Sequence, residues 1–400
     1  MQFTKTALDP IDYSYGPRFV ATGDFNNDTW LDIVVANNIV NSIVIFLGNA
    51  TGTFSKQPPY STGPNSAPNM VAVGDFNNDF SLDIAVANFG TNNVGLFLGF
   101  KNGSFGSQIE ISTGASRPIA ICLADFDNDV RLDIATANYG TDSVSIFYGY
   151  GNGSFSYAHT YSTGYDSLPF SLVAGDFNGD NYLDLAIANY GTDSIELLLQ
   201  NTNKTFAHQI ILSTTAGSRP ISINVGHFND DTLVDIVVTN SGTHSVDVFL
   251  NNDNGTFTTK TINLINATSP YSIGVGDFND DNRLDIVFTS IAINNMGVYL
   301  GHEHDIFVIS KMYSTGSTSS ISLAVGDFNK DHRLDVIIVS NDTGSIDILL
   351  GCFDGFLEQT AYAFESSPLS IAVGDFNNDT RLDVVFINTN ANGMMIRYHK

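Results

Sequence analysis

A nine-residue acidic turn recurs eight times in this 400-residue chain and constrains the fold more than any other feature. In GDFNNDTWLDIVVAN, residues 23–37, Asp24, Asn26, Asp28 and Asp32 occupy positions 1, 3, 5 and 9 of the turn. Alternate side chains of a tight turn project to one side, so four oxygen-bearing groups converge. The backbone carbonyl of Trp30, at position 7, can point the same way. Hard cations such as Ca²⁺ take about six to eight oxygens at roughly 2.3–2.6 Å, and carboxylates and carbonyls of a short loop supply them. Three aspartates this close repel one another unless a cation lies between them.

The turns begin at residues 24, 75, 125, 176, 227, 277, 327 and 375, at intervals of 51, 50, 51, 51, 50, 50 and 48. A fixed period of about 50 residues marks a repeat architecture, in which each unit packs on its neighbours. The regular sets are Asp24, Asn26, Asp28, Asp32; Asp75, Asn77, Asp79, Asp83; Asp176, Asn178, Asp180, Asp184; Asp277, Asn279, Asp281, Asp285; Asp327, Asn329, Asp331, Asp335; and Asp375, Asn377, Asp379, Asp383. The third turn carries four carboxylates: Asp125, Asp127, Asp129 and Asp133. The fifth begins with His227, a poor calcium ligand, followed by Asn229, Asp231 and Asp235, so its site is expected to be weakened or lost. A metal-free turn in which Asp and Asn cap their own backbone has the same composition. Recurrence at the same four positions favours calcium at seven to eight sites, in a structural role.

The charge follows the turns. Of 42 acidic residues only five are Glu, and 24 of the 37 Asp lie at the four turn positions. A net charge of −26 with no basic patch disfavours nucleic acid. No segment is apolar enough to span a bilayer, and residues 1–10 lack the apolar core of a signal peptide. Calcium at millimolar levels points to an extracellular or secreted setting, with this chain as part of a longer one. Cys122 and Cys352 lie more than four repeats apart, so no disulfide is expected between them. Asn-x-Ser/Thr sequences such as Asn102 and Asn152 fall where Asn-Gly turns are needed and read first as turn chemistry.

The second unit shows the content of one repeat. Strands are predicted over residues 69–76, 82–87, 94–98 and 105–111, separated by turns. Four antiparallel strands per unit is one propeller blade. After residue 375 only three strands remain, whereas residues 1–8 match fourth strands such as 257–264. The fold expected is all-β: a single eight-bladed propeller over residues 1–400, its last blade completed by the N-terminal strand. Closure of this kind removes exposed sheet edges.

These residues resemble the FG-GAP/VCBS repeat family, best known from the propeller of integrin α subunits. The likeness rests on the D-x-[ND]-x-D-x-x-x-D turn after a Val-x-Gly strand end. Where the integrin pattern runs into Gly-Ala-Pro, this chain has Ala87-Asn88 and Ala137-Asn138, nearer the VCBS type. The resemblance implies structural calcium between the first two strands of each blade and ligand binding on the opposite face.

On that face the chain places Phe89, Tyr139 and Tyr190 in second-to-third-strand turns and Arg117 and Arg219 before prolines. Exposed aromatics beside Asn, Thr and Arg suit sugars or peptides, though repetition also suits blade-end covers. His302 and His304 flank Glu303 in a turn, where solvent exposure is the simpler reading. No nucleophile elbow, phosphate-cradling loop or Cys–His arrangement appears. The sequence therefore points to a calcium-stabilised binding or adhesion module for protein or glycan partners. The alternative is a carbohydrate-active lyase or hydrolase on the same scaffold.

Overall fold

The computed structural model describes residues 3–5, 17–49, 54–157, 159–229, 231–252, 255–264, 269–291, 295–302, 306–314, 320–327, 332–340, 345–352, 355–363, 368–377, 379–388 and 393–399. Every regular element among them is a β-strand. The strands form eight antiparallel sheets, seven of four strands and one of five, plus a two-stranded ribbon of Gly99–Phe100 with Ser104–Phe105.

The second unit is representative: Pro68–Gly74, Asp83–Asn88, Asn93–Phe97 and Ile109–Ser112 lie side by side in chain order. The fourth strand starts later than residue 105, where the sequence placed it. Phe105 belongs to the ribbon, and the Gly106 N–H donates to Leu98 O at 2.8 Å, closing a turn before the outer strand begins.

First strands such as Pro17–Gly23 begin with proline, which needs no ladder donor at a strand's first residue. Each lies against the first strand of the next unit, and Pro368–Gly374 of the last lies against Pro17–Gly23 of the first. Second strands such as Asp32–Asn37 and Asp83–Asn88 are buried at every residue. They are paired on both edges and covered on both faces, so their sequences are continuously apolar rather than alternating.

The core lies between neighbouring sheets. Phe25, Val34 and Ile45 of the first pack with Val71, Ile84 and Val86 of the second. Val20, Ile33 and Val35 likewise pack with Phe376, Val385 and Ile387 of the last. Two pegs recur at most of the described junctions. The buried Phe at turn position 2 meets a ring from the next unit's outer turn, as in Phe25–Phe105 at 5.4 Å and Phe76–Phe155 at 5.7 Å. The last turn's Phe376 meets Phe54 of the first unit in the same way, at 5.9 Å. The glycine ending five of the first strands makes room for the next unit's leucine, whereas the first strand of the third unit ends in Ala124 and Gly175 of the fourth faces Val234. A Cβ on Gly23 would lie 2.7 Å from Leu82 Cδ1, one on Gly74 2.5 Å from Leu132 Cδ1, and one on Gly374 2.3 Å from Leu31 Cδ1. At the N-terminus, Phe3–Lys5 pairs with Gly393–His399, Thr4 opposite Tyr398; residues 1–2 and 6–8 of the expected strand lie outside the described residues.

Candidate cation loops and the opposite rim

The acidic turns join first and second strands, and their side chains organise the backbone as well as facing inward. In the first turn Asp24 accepts the Asp28 N–H at 3.1 Å and the Thr29 N–H at 2.8 Å. Asn26 Oδ1 accepts the Asp28 N–H at 3.0 Å, and Asp28 Oδ1 accepts the Trp30 N–H at 2.8 Å. The arrangement repeats in the second, fourth, sixth and eighth turns, for example at Asp75, Asp176, Asp277 and Asp375. It bends position 6 into the left-handed region even where β-branched or bulky residues stand: Thr29 at φ +73°, Phe80 at +64° and Val130 at +67°. An L-residue there costs about 1–2 kcal/mol. Phe80 and Val130 are also 84% and 88% exposed, so no burial offsets that strain and the aspartates hold the bend.

Position 9 is different. Asp32 is fully buried; its Oδ2 accepts the Phe25 N–H at 2.7 Å and its Oδ1 the Gly48 N–H at 2.8 Å. The same pair of bonds holds Asp83, Asp133, Asp184, Asp235 and Asp285. Burial pushes these carboxyls up, to about 7 for Asp32, Asp133, Asp184 and Asp285 and to about 6 for Asp83 and Asp235. Two backbone donors oppose the rise, and the neighbouring aspartates, Asp28 and Asp24 around Asp32, add to it. A buried carboxylate ringed by like charge is the setting in which a divalent ion is retained. The donor at Gly48 was not foreseen, although a Leu-Gly or Tyr-Gly pair recurs sixteen residues after Asp32, Asp83, Asp133, Asp285 and Asp335.

The third turn fits a cation most directly. Ligand oxygens of Asp125, Asp127 and Asp133 lie within 4.8 Å of one another. Asp127 has a side chain 7% exposed, and its Oδ1 is buried without a hydrogen-bond partner among the described residues. Its Oδ2 takes the Lys204 ammonium at 2.7 Å, a contact from the next unit's outer turn. Lys204 stands at φ +60°, in the place that Gly103, Gly153 and Gly255 fill in other units at +77°, +78° and +70°. Tyr148 Oη donates to its carbonyl at 2.6 Å. Asn has become Asp, and Gly has become Lys, at two positions that touch.

The fifth turn is closed by its own side chain. His227 Nδ1–H donates to Leu233 O at 2.7 Å, the position-7 carbonyl that a cation would use. Asp231 and Asp235 keep their usual backbone partners. In the seventh turn Asp327 accepts the His332 N–H at 2.8 Å and Asp335 accepts the Gly351 N–H at 2.8 Å. Asn329 and Asp331 lie outside the described residues, as do Glu303 and His304; His302 is exposed.

On the opposite rim Phe89, Tyr139 and Tyr190 are half-buried rather than exposed. The cause for two of them is an arginine laid over the ring: Arg117 Cζ lies 5.6 Å from the Phe89 centroid and Arg219 Cζ 5.9 Å from that of Tyr190. Both arginines have left-handed backbones pinned by a donor from their own N–H, to Asn92 Oδ1 and Asp193 Oδ1 respectively, each at 2.9 Å. Among the described residues, the freely presented aromatic on this rim is Tyr165, 94% exposed in an inter-sheet loop, which sequence reasoning passed over.

The profile of the FG-GAP-like repeat matches residues 24–86, 75–136, 125–187, 176–238, 227–288 and 327–386. No curated protein sequence matches the chain. Among solved structures, virginiamycin B lyase from Staphylococcus aureus is similar over 100% of this chain and 99% of its own, with a TM-score of 0.55 at 12% identity. A lectin from Agrocybe aegerita that recognises non-reducing terminal N-acetylglucosamine is similar over 94% of this chain and 100% of its own, with a TM-score of 0.55 at 18% identity. BBS1N, in complex with ARL6DN, is similar over 82% and 91%, with a TM-score of 0.55 at 12% identity. At these identities the likeness is one of fold.

Proposed function

The chain belongs to the FG-GAP-like repeat family, as a β-propeller, and on that premise we propose a calcium-stabilised extracellular binding module for a protein or glycan partner. The observation that carries the calcium reading is the buried position-9 aspartate, typified by Asp32, held among two further acids of its own turn. Asp24, Asp28 and Asp32, with Asn26 and the Trp30 carbonyl, would hold the ion in the first turn. Asp125, Asp127, Asp129 and Asp133 would do so in the third. A bound ion neutralises the turn and ties the two strands it joins. At tenfold excess over its dissociation constant each ion stabilises by ~1.4 kcal/mol.

The sheets are eight blades of a closed wheel in this reading. Support comes from contacts that treat the last unit as the neighbour of the first: Phe376 with Phe54, Gly374 with Leu31, and Phe3–Lys5 paired with Gly393–His399. The partner docks on the rim away from the ions, where Tyr165 is exposed and Arg117 and Arg219 are fixed in place. Propellers of similar fold bind a protein, as BBS1N does ARL6DN, or a glycan, as the fungal lectin does.

Thermal melts in calcium and in excess chelator test the scaffold. A markedly lower melting temperature in chelator is expected; an unchanged one refutes the calcium role. A glycan array and a pull-down, each with and without calcium and with Tyr165→Ala, test the rim.

A further inference from the structure

Going beyond that reading, we infer that the mouth of the cavity between the first strands binds a small amphipathic anion, a carboxylate on an apolar body, anchored by Arg18. The cavity has a volume of about 300 Å³, and all eight first strands contribute to its lining. It opens at the strand starts, away from the acidic turns. Seven of the eight first strands carry a proline as their first or second residue, and the residue after it lines the cavity in each of the seven, but these residues are not alike. Ile119, Phe170, Ile221 and Tyr271 make an apolar and aromatic wall, whereas the first two units supply Arg18 and Asn69.

Among the described residues Arg18 is the only charged one of the lining, in a chain with 16 basic residues against 42 acidic ones. Its Nε donates to Asn69 Oδ1 at 3.1 Å, and Asn69 Nδ2 donates in turn to Ile119 O at 2.7 Å. Asn69 therefore props the guanidinium from the next unit. The two terminal Nη groups remain without a partner among the described residues and are available to a carboxylate as a fork. A repeated scaffold does not need this asymmetry.

The ligand class follows from the two halves of the wall. A neutral sugar would leave the guanidinium unmatched and gain little from isoleucines. A bare inorganic anion would leave the apolar half against water. A carboxylate carrying an aryl or alkyl group satisfies both, burying its body at about 25 cal/mol per Å² while the acid meets Arg18.

The test is calorimetric titration of the intact chain with 3-phenylpropionate and with 3-phenylpropionamide, in calcium and in chelator, with a melt of each sample as the folding control. The acid is expected to bind about tenfold or more tightly than its amide. Arg18→Met should erase that preference, and Asn69→Leu should weaken the acid more than the amide. Equal affinity for acid and amide overturns the proposal, as does undiminished acid binding by Arg18→Met or no binding at millimolar acid. A melt insensitive to chelator alongside acid binding would sink the calcium reading and leave this one standing.

Discussion

The first and fifth acidic turns join the first and second strands of their units, yet they differ in backbone and in the groups that hold them: position 6 is left-handed at Thr29 of the first, whereas Thr232 of the fifth is not. Asp24 gathers two backbone N–H groups, and in the proposed reading the Trp30 carbonyl is a ligand of the ion. His227 reaches across and takes the equivalent carbonyl, Leu233 O, for itself. The third turn departs the other way, adding a carboxylate at Asp127 and receiving an ammonium from Lys204. The contrast teaches that an imidazole or an ammonium of the chain itself can sit among the acids of this hairpin, the place that a divalent ion takes in the proposed reading. The position-9 aspartate is constant across all three, because it carries the two backbone bonds that join turn to sheet.

The largest effect should come from removing that constant. Asp83→Ala strips the acceptors of the Phe76 and Gly99 N–H groups inside the core. A loss of about 3–5 kcal/mol is expected in urea unfolding, with or without calcium. A loss confined to calcium-containing buffer would show the aspartate to be only an ion ligand.

Acidity should separate ion-filled from ion-free turns next. Without calcium the folded protein keeps protons on Asp32, Asp133, Asp184 and Asp285 up to about 7, against 3.8 for the ordinary carboxyl. The folded state then binds more protons than the unfolded one between those values. These groups' contribution is complete below the lower value and is lost as pH rises through the upper one. In chelator the melting temperature should therefore rise from pH 8 to pH 5. In excess calcium the slope should reverse, because protons displace the ion. Parallel slopes would break the distinction.

Exchanging the closing group should interconvert the two kinds of turn. His227→Asp restores the regular first position, and calcium titration should count one more bound ion than in the parent. In chelator the same variant should be about 1 kcal/mol less stable, having lost the bond to Leu233. An unchanged ion count would show that the imidazole is not what bars the site.

The smallest change is expected at the third turn. Lys204→Gly removes the ammonium from Asp127 and relieves a left-handed non-glycine residue. Lys204 is half exposed, so the ion pair adds little to stability. One calcium site should tighten by a few-fold while the melting temperature in chelator hardly moves. A lower calcium affinity would mean that the lysine supports the ion rather than competing with it.

Most of the architecture was legible because its determinants are local. The nine-residue turn, the buried second strands such as Asp32–Asn37 and the fifty-residue period are read within one unit, where neighbours in sequence are neighbours in space. His227 was flagged as a poor ligand for the same reason, though its bond to Leu233 was not foreseen. The rim aromatics lie on turns as read, and of the two readings the sequence offered, exposed grip or blade-end cover, their half-buried state agrees with the cover that repetition favoured. Whether Arg117 lies over Phe89 depends on how one sheet leans on the next.

What this sequence determined by itself is the repeat, its strands and the chemistry of its turns, since these follow from side chains a few residues apart. Only the tertiary structure decided which departures from the repeat meet: Lys204 with Asp127, 77 residues away, and Arg18 with Asn69, 51 residues away. Such pairs are fixed by the packing of separate sheets. No local preference encodes a contact whose two halves belong to different units.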